Sequence, residues 1–158
     1  MKSLTFNGIR KPWLYLLQGR QKAPFAPIAR NLLRIPGRPG AILQSSETEP
    51  LIIYQPIGFL VKDDADALAK KDELASWLVT DDPVPLEFDD EPGRTYYAVV
   101  QNTITDFEQF VNQRRGTIEF LVLDGYGYGP ELEAVFPSDV VTLTNKGTVE
   151  AEPVFELT

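Results

Sequence analysis

One stretch of helical periodicity limits what this chain can fold into. From Asp63 to Leu78 apolar residues recur at helical spacing, whereas nearly every other apolar run has the length or alternation of a strand. A chain of 158 residues with one helix must build its core from sheet, and the helix has to lay its apolar face on that sheet. The residues therefore read as a mainly β chain with one helix, of α+β class. Asp63 or Asp64 is placed to cap the helix, accepting backbone N–H bonds at the positive end of its dipole. On a helical wheel Ala67, Leu68, Leu74, Ala75 and Leu78 share a face, Asp66, Lys70 and Glu73 oppose it, and Trp77 falls at the edge. Burial of Leu68, Leu74 and Leu78 is worth about 1.5–3 kcal/mol each before chain entropy is charged. Lys71 lies inside the apolar stripe, so its ammonium must extend past the rim or meet a partner.

The helix leads into the strongest hairpin signal. Val84, Leu86 and Phe88 alternate with Glu87, a turn follows at Asp89–Gly93, and Tyr96, Ala98 and Val100 alternate with Tyr97 and Val99 in a strand expected to reach Ile104. Upstream, Ser3–Phe6 reads as a strand ending at an Asn7-Gly8 turn, Trp13–Leu17 as a strand covered on both faces, and Arg20–Pro27 as a loop. Ile28–Ile35 fits either a strand or a helical turn, and Pro36–Gly40 is a rigid turn. Ala41–Ser45 is a short strand, and Leu51–Val61 is a long apolar run broken at Pro56 and Gly58. A proline there predicts an edge strand, a bulge or a change of sheet. Residues 105–115 favour a strand, Thr117–Leu123 points Ile118, Phe120 and Val122 to one face, and Asp124–Pro130 reads as a glycine-tyrosine loop. Two further strands are expected at Val140–Leu143 and Thr148–Phe155. Two strands do not make a domain alone.

The chemistry open to the chain is narrow. It has no cysteine and no histidine, which removes thiol nucleophiles, thiolate and imidazole metal sites, and every Ser-His-Asp arrangement. Glu87, Asp89, Asp90 and Glu91 could suggest acid–base chemistry, but glycoside hydrolysis needs carboxylates set across a cleft, and adjacent acids beside Pro92-Gly93 read as a solvated hairpin tip. Asp63, Asp64 and Asp66 lack the calcium-loop pattern, and Gly125–Gly129 lacks the spacing of a dinucleotide loop. The expectation is a protein without enzymatic activity and without cofactor or metal. No apolar run is long enough to cross a bilayer and no signal-peptide pattern opens the chain, so membrane insertion is not expected.

A net charge of −8 argues against a phosphate-backbone binder. The charge is uneven: Lys2 to Arg38 is basic with no acid, and the chain is acidic from Asp63 onward. Unlike surfaces of this kind suit self-association.

Together these landmarks resemble the distal tail proteins of long-tailed phages, and related prophage tail components, that infect Gram-positive bacteria. The resemblance is carried by Phe6-Asn7-Gly8, Ile35–Gly40, Leu74-Ala75-Ser76-Trp77-Leu78, Pro85–Asp90 running into Arg94–Ala98, and Phe120–Tyr126 with Tyr128-Gly129. The family pattern usually has proline after the aspartate of the last motif, where this chain has Gly125. Residues 1–130 correspond to the family's ring-forming domain, and 131–158 to a linker and the first strands of a truncated second β-sandwich.

The resemblance implies a β-sandwich or barrel of tail-tube type packed against a single helix. It implies a structural role as the subunit of a homohexameric ring at the distal tail tip of the virion, made in the bacterial cytoplasm. The ring would join the major tail tube protein to the tail-associated fibre or lysin protein of the baseplate, without sequence-specific nucleic-acid contact. A carbohydrate-binding module is the alternative, with Trp13, Tyr126 and Tyr128 as its candidate aromatics. A cyclic ring needs two unlike patches that meet. Arg30, Arg34 and Arg38, facing an acidic surface of a neighbour, are the candidate self-assembly residues, with Lys71 and Trp77 beside them as possible contacts. Charge reversal at Arg34 and Arg38 together is expected to weaken the ring. Light scattering that finds intact rings in the double reversal and at raised salt would overturn the electrostatic assignment.

Overall fold

The computed structural model describes residues 1–101 and 107–156. Two compact units divide the chain, Met1–Tyr128 and Gly129–Thr158. Eleven strands and one helix are assigned among the described residues, all of them in the first unit. They are β1 Leu4–Phe6, β2 Ile9–Arg10, β3 Leu14–Leu16, β4 Gln21–Lys22, β5 Ile28–Leu33, β6 Ile42–Thr48, β7 Leu51–Leu60, helix α1 Asp64–Leu78, β8 Val84–Phe88, β9 Thr95–Val100, β10 Glu108–Phe110 and β11 Gln113–Tyr128. The mainly β, one-helix class expected from the sequence is borne out.

The main sheet is antiparallel in order β2-β1-β8-β9-β11-β7-β3, with β10 also paired to β11 and β4 to β7. Its centre is the long β7–β11 pair, in register from Gln113 opposite Leu60 to Val122 opposite Leu51. Alternation puts Ile53, Ile57 and Phe59 of β7 and Ile118, Phe120 and Val122 of β11 on one face, all fully buried. Phe6, Phe88 and Phe120 meet at ring-centroid distances of 5.8 and 6.2 Å, tying β1 and β8 to the central pair.

Pro56 does not break β7. Leu17 N–H donates to the Pro56 carbonyl at 2.9 Å, so the nitrogen of Pro56 faces the same side, between β3 and β4, and away from β11. The missing N–H therefore costs no bond to β11. Gly58 is required by packing: a Cβ there would stand 2.7 Å from the Tyr15 ring.

The helix is capped by Asp63, whose carboxylate accepts from Asp66 N–H at 2.7 Å, while Asp66 accepts from Lys62 N–H at 2.9 Å. The Lys62 backbone bond and the Lys70 ammonium hold the Asp66 carboxyl below its ordinary pKa. The buried face is rotated from the one expected. Ala67, Leu74 and Leu78 are buried as predicted, but Leu68 is 62 % exposed and Trp77 only 6 %. Trp77 decides this rotation. Its ring meets Phe6 edge-on at 6.3 Å and its indole N–H donates to the Phe6 carbonyl at 3.0 Å. The larger apolar side chain, with a partner for its polar atom, takes the core position in place of Leu68. Trp77, proposed from the sequence as a self-assembly contact, is thus a core residue of this chain. Lys71 is half-buried. Lys70 and Glu73, expected on the outer face, border the core: Lys70 bonds Asp66 at 2.9 Å and the Leu60 carbonyl at 2.7 Å, and Lys11 pairs with Glu73 at 2.5 Å.

Other expectations shift in detail. Of Trp13–Leu17 only Leu14 is fully covered, so that strand is not buried on both faces. The Arg20–Pro27 loop contains β4, and the Ile28–Ile35 ambiguity resolves as a strand. Residues 108–110 and 113 onward form a hairpin; the expected end of β9 at Ile104 lies outside the described residues. The glycine-tyrosine segment is strand, not loop: β11 continues to Tyr128 past a bulge between Val122 and Gly127.

In the second unit the strands expected at Val140–Leu143 and Thr148–Phe155 are absent among the described residues. Asn145 organises a turn instead, accepting from Gly147 N–H at 2.8 Å and donating to the Val149 carbonyl at 2.8 Å. Phe136 and Phe155 stand 6.2 Å apart. Two isolated strands would leave most of their backbone groups and side chains without partners.

Trp77→Phe should cost about 1–3 kcal/mol in urea unfolding, because the buried Phe6 carbonyl loses its donor. Leu68→Ala should fall within about 0.5 kcal/mol of the parent, as for an exposed site; the opposite ranking would refute the rotated face.

Candidate functional site: a hairpin arm and its ionic anchor

β5 and β6 form a separate two-stranded sheet, from Ile28 opposite Thr48 to Leu33 opposite Ile42, with a bulge between Asn31 and Leu32. From Ile28 to Thr48 every residue is exposed except Ala29, which is half-buried. A two-stranded ribbon has little stability without cover. At its outer end Leu32 pairs with Leu43 and Leu33 with Ile42. Successive residues point to opposite faces, so both faces of the ribbon end are apolar there. Ile28, Leu32, Leu33, Ile35, Ile42 and Leu43 are each 41–54 % exposed. A strand apolar on both faces is the pattern of an element covered on both sides.

The tip is the Pro36–Gly40 cluster. Arg38 N–H donates to the Ile35 carbonyl at 3.2 Å, and Gly37 has φ of +80°. Proline followed by a positive-φ glycine fits a type II turn.

Arg30, Arg34 and Arg38 all lie on this arm, as the sequence grouped them. Arg30 donates to Ser46 Oγ at 2.9 Å, and none of the three has an ion pair among the described residues. Lys71 and Trp77 lie on the helix, so the structure does not gather all five candidates on one element.

The base of the arm is fixed. Glu49 N–H donates to the Pro27 carbonyl at 2.8 Å, and Ala26 is buried. Gly125 of the β11 bulge carries φ of +74°, and a Cβ there would lie 2.7 Å from the Ala26 Cβ. Proline could not adopt that φ.

Just before the arm, Arg20 and Lys22 grip the β8–β9 turn. Arg20 donates to buried Gln55 Oε1 at 2.5 Å, to Glu91 at 2.9 Å and to Asp90 at 2.8 Å, and its guanidinium lies 3.9 Å from the Phe88 ring centroid. Lys22 bonds both Glu91 oxygens at 2.6 and 2.8 Å and the Tyr96 hydroxyl oxygen at 2.8 Å, while the Tyr96 O–H donates to Glu91 at 2.7 Å. Arg10 pairs with Asp89 at 2.6 Å. The turn acids are therefore not a freely solvated tip, as the sequence suggested, but the acceptors of a clamp built by three cations.

Burial by itself raises the Glu91 pKa. The hydrogen bonds from Lys22 and Tyr96 and the charges of Lys22 and Arg20 outweigh it, holding the carboxyl below its ordinary value of 4.5. At Asp89 burial is likewise outweighed, by the Arg10 and Ser3 N–H bonds.

The aromatics weighed for carbohydrate are placed differently from one another. Trp13 is half-buried with its ring 5.4 Å from Phe59. Tyr128 meets Tyr97 at 5.3 Å and donates to Asp124 at 2.7 Å, a bond that raises its own pKa. Tyr126 stands 40 % exposed. Tyr97, on the alternating strand β9, also stands exposed on the sheet, a position that alternation alone does not distinguish from that of Tyr96.

The described residues thus form a one-helix antiparallel sheet carrying an uncovered two-stranded arm. Residues 10–122 match the phage tail protein RIFT-related domain, and the chain belongs to that family of phage tail proteins. Its fold is similar to that in the crystal structure of the SPP1 Dit (gp 19.1) protein, described as a paradigm of hub adsorption apparatus in Gram-positive infecting phages. The TM-score is 0.73 at 21 % identity, over 84 % of this chain and 54 % of that one. The chain thus spans about half the length of that relative. No curated protein matches it in sequence. The resemblance to distal tail proteins is borne out in family and fold.

Folding stability supplied by Glu91 is complete above pH 4.5 and is lost as pH falls through the lower folded-state value, since the unfolded chain takes up the proton first. Glu91→Gln should therefore flatten the acid limb of the stability–pH curve, followed by urea midpoints between about pH 6 and 3. An unchanged acid limb would show that the clamp contributes nothing.

Proposed function

We propose that this phage tail protein is a ring-forming hub subunit at the distal end of the tail, joining the tail tube to the tail-tip proteins. The observation that carries the reading is the arm, an isolated ribbon with apolar residues on both faces and three arginines. Such an element gains its stability by docking. Family membership places the chain in the tail, and the shared fold with a hub protein supports the hub position. A homohexamer, with the major tail protein on one side and the fibre or lysin protein on the other, is the assembly this reading specifies. Residues 1–130 act as the ring domain. Residues 131–158 are a segment separate from the ring domain, in keeping with the division of the chain after Tyr128 and with exposed Leu132, Val135, Val140 and Val154. The role is structural, and the turn carboxylates are engaged in the clamp.

Light scattering and negative-stain microscopy of the purified chain test this. A six-fold ring is expected, and Leu32→Ser with Leu43→Ser should give a folded monomer with unchanged circular dichroism. Rings that persist in the double variant would remove the arm from assembly, and a parent chain that is monomeric at every concentration would overturn the ring.

A further inference from the structure

The same chain that exposes the arm exposes a surface suited to receive it. Side chains alternate along a strand, so the solvated face of an antiparallel sheet is expected to be polar. On the outer face of β8, β9, β11 and β7 the register instead brings Pro85 opposite Tyr97, Val99 opposite Leu121, and Leu121 opposite Ile52. Tyr97 is 41 % exposed and Pro85 is exposed, with the other three half-buried. Alternation sets Glu87 and Glu119 on this face as well, beside the apolar row. Those two acids make no ion pair among the described residues, and neither do Arg34 and Arg38.

We propose that this row is the docking face for the arm of a second copy of the chain. One apolar side of the ribbon, Leu32 with Leu43, lies on Tyr97 and Leu121, and the arginines of the arm meet Glu87 and Glu119. From Ile28 to its turn the arm extends about 25 Å, at about 3.3 Å per residue, and it pairs with no strand of the main sheet. Donor and acceptor are different surfaces of one chain, so each copy gives an arm and receives one. Such a head-to-tail contact closes only around an axis. The inference rests on the assembly reading above and names the face that reading leaves open.

The absence of cysteine makes the test clean. Leu32→Cys and Tyr97→Cys, both at exposed positions, are made in separate chains, mixed and treated with a short bismaleimide. A mass-verified heterodimer is expected, while Leu32→Cys mixed with Leu68→Cys, on the solvent side of the helix, should give none. Oligomers by light scattering without the 32–97 product would overturn the acceptor face alone, whereas monomers throughout would overturn the ring reading with it. A double variant that cross-links within a monomeric chain would show the arm folded on its own sheet, which also overturns the proposal. Tyr97→Lys should weaken assembly about tenfold or more, as for a central contact residue, with Leu68→Lys unchanged; the reverse ranking would refute it.

Discussion

The Arg20 guanidinium is the point on which the rest of the first unit depends. Its planar fork bonds Gln55 inside the central strand β7 and Asp90 and Glu91 in the β8–β9 turn, while its face lies on Phe88. One side chain thereby fixes β4 against both halves of the sheet. Lysine could supply the charge but not a planar fork that bonds through its edge while its face lies on an aromatic ring. Since the arm begins six residues after Lys22 of β4, its root is set by the same clamp that closes the hairpin.

Around that clamp the sheet resolves two conflicts. Pro56 lies in the longest-paired region, yet its missing donor faces the gap between β3 and β4. Trp77 lies at the edge of the predicted helix face, yet one hydrogen bond to the Phe6 carbonyl draws it inward and turns Leu68 out. In the first case the direction of a backbone group keeps the strand pairing intact, and in the second it decides which residue is buried.

The tail-protein family, the exposed arm and the apolar outer row of the sheet point in one direction. A folded body with a low-stability extension suits assembly, because the cost of exposing apolar surface in the free subunit is recovered on docking.

Local chemistry made much of this legible. Alternation named the buried faces of β8, β9 and β11, the Asp63 cap and the Asn7-Gly8 turn follow from side-chain and φ preferences, and the arginines of the arm stood out by charge. Absent histidine and cysteine closed off whole classes of chemistry. What pairs with what over long range was not legible, because strand pairing and ion pairs join residues as far apart in the chain as Leu4 and Phe88 or Arg10 and Asp89. Only the tertiary structure made the turn acids into a clamp, placed Trp77 in the core, continued the glycine-tyrosine segment as strand and left β5–β6 uncovered. The helix between Asp63 and Leu78 was readable from its own period; which of its faces is buried was decided by the carbonyl of Phe6, a group that no local pattern could point to.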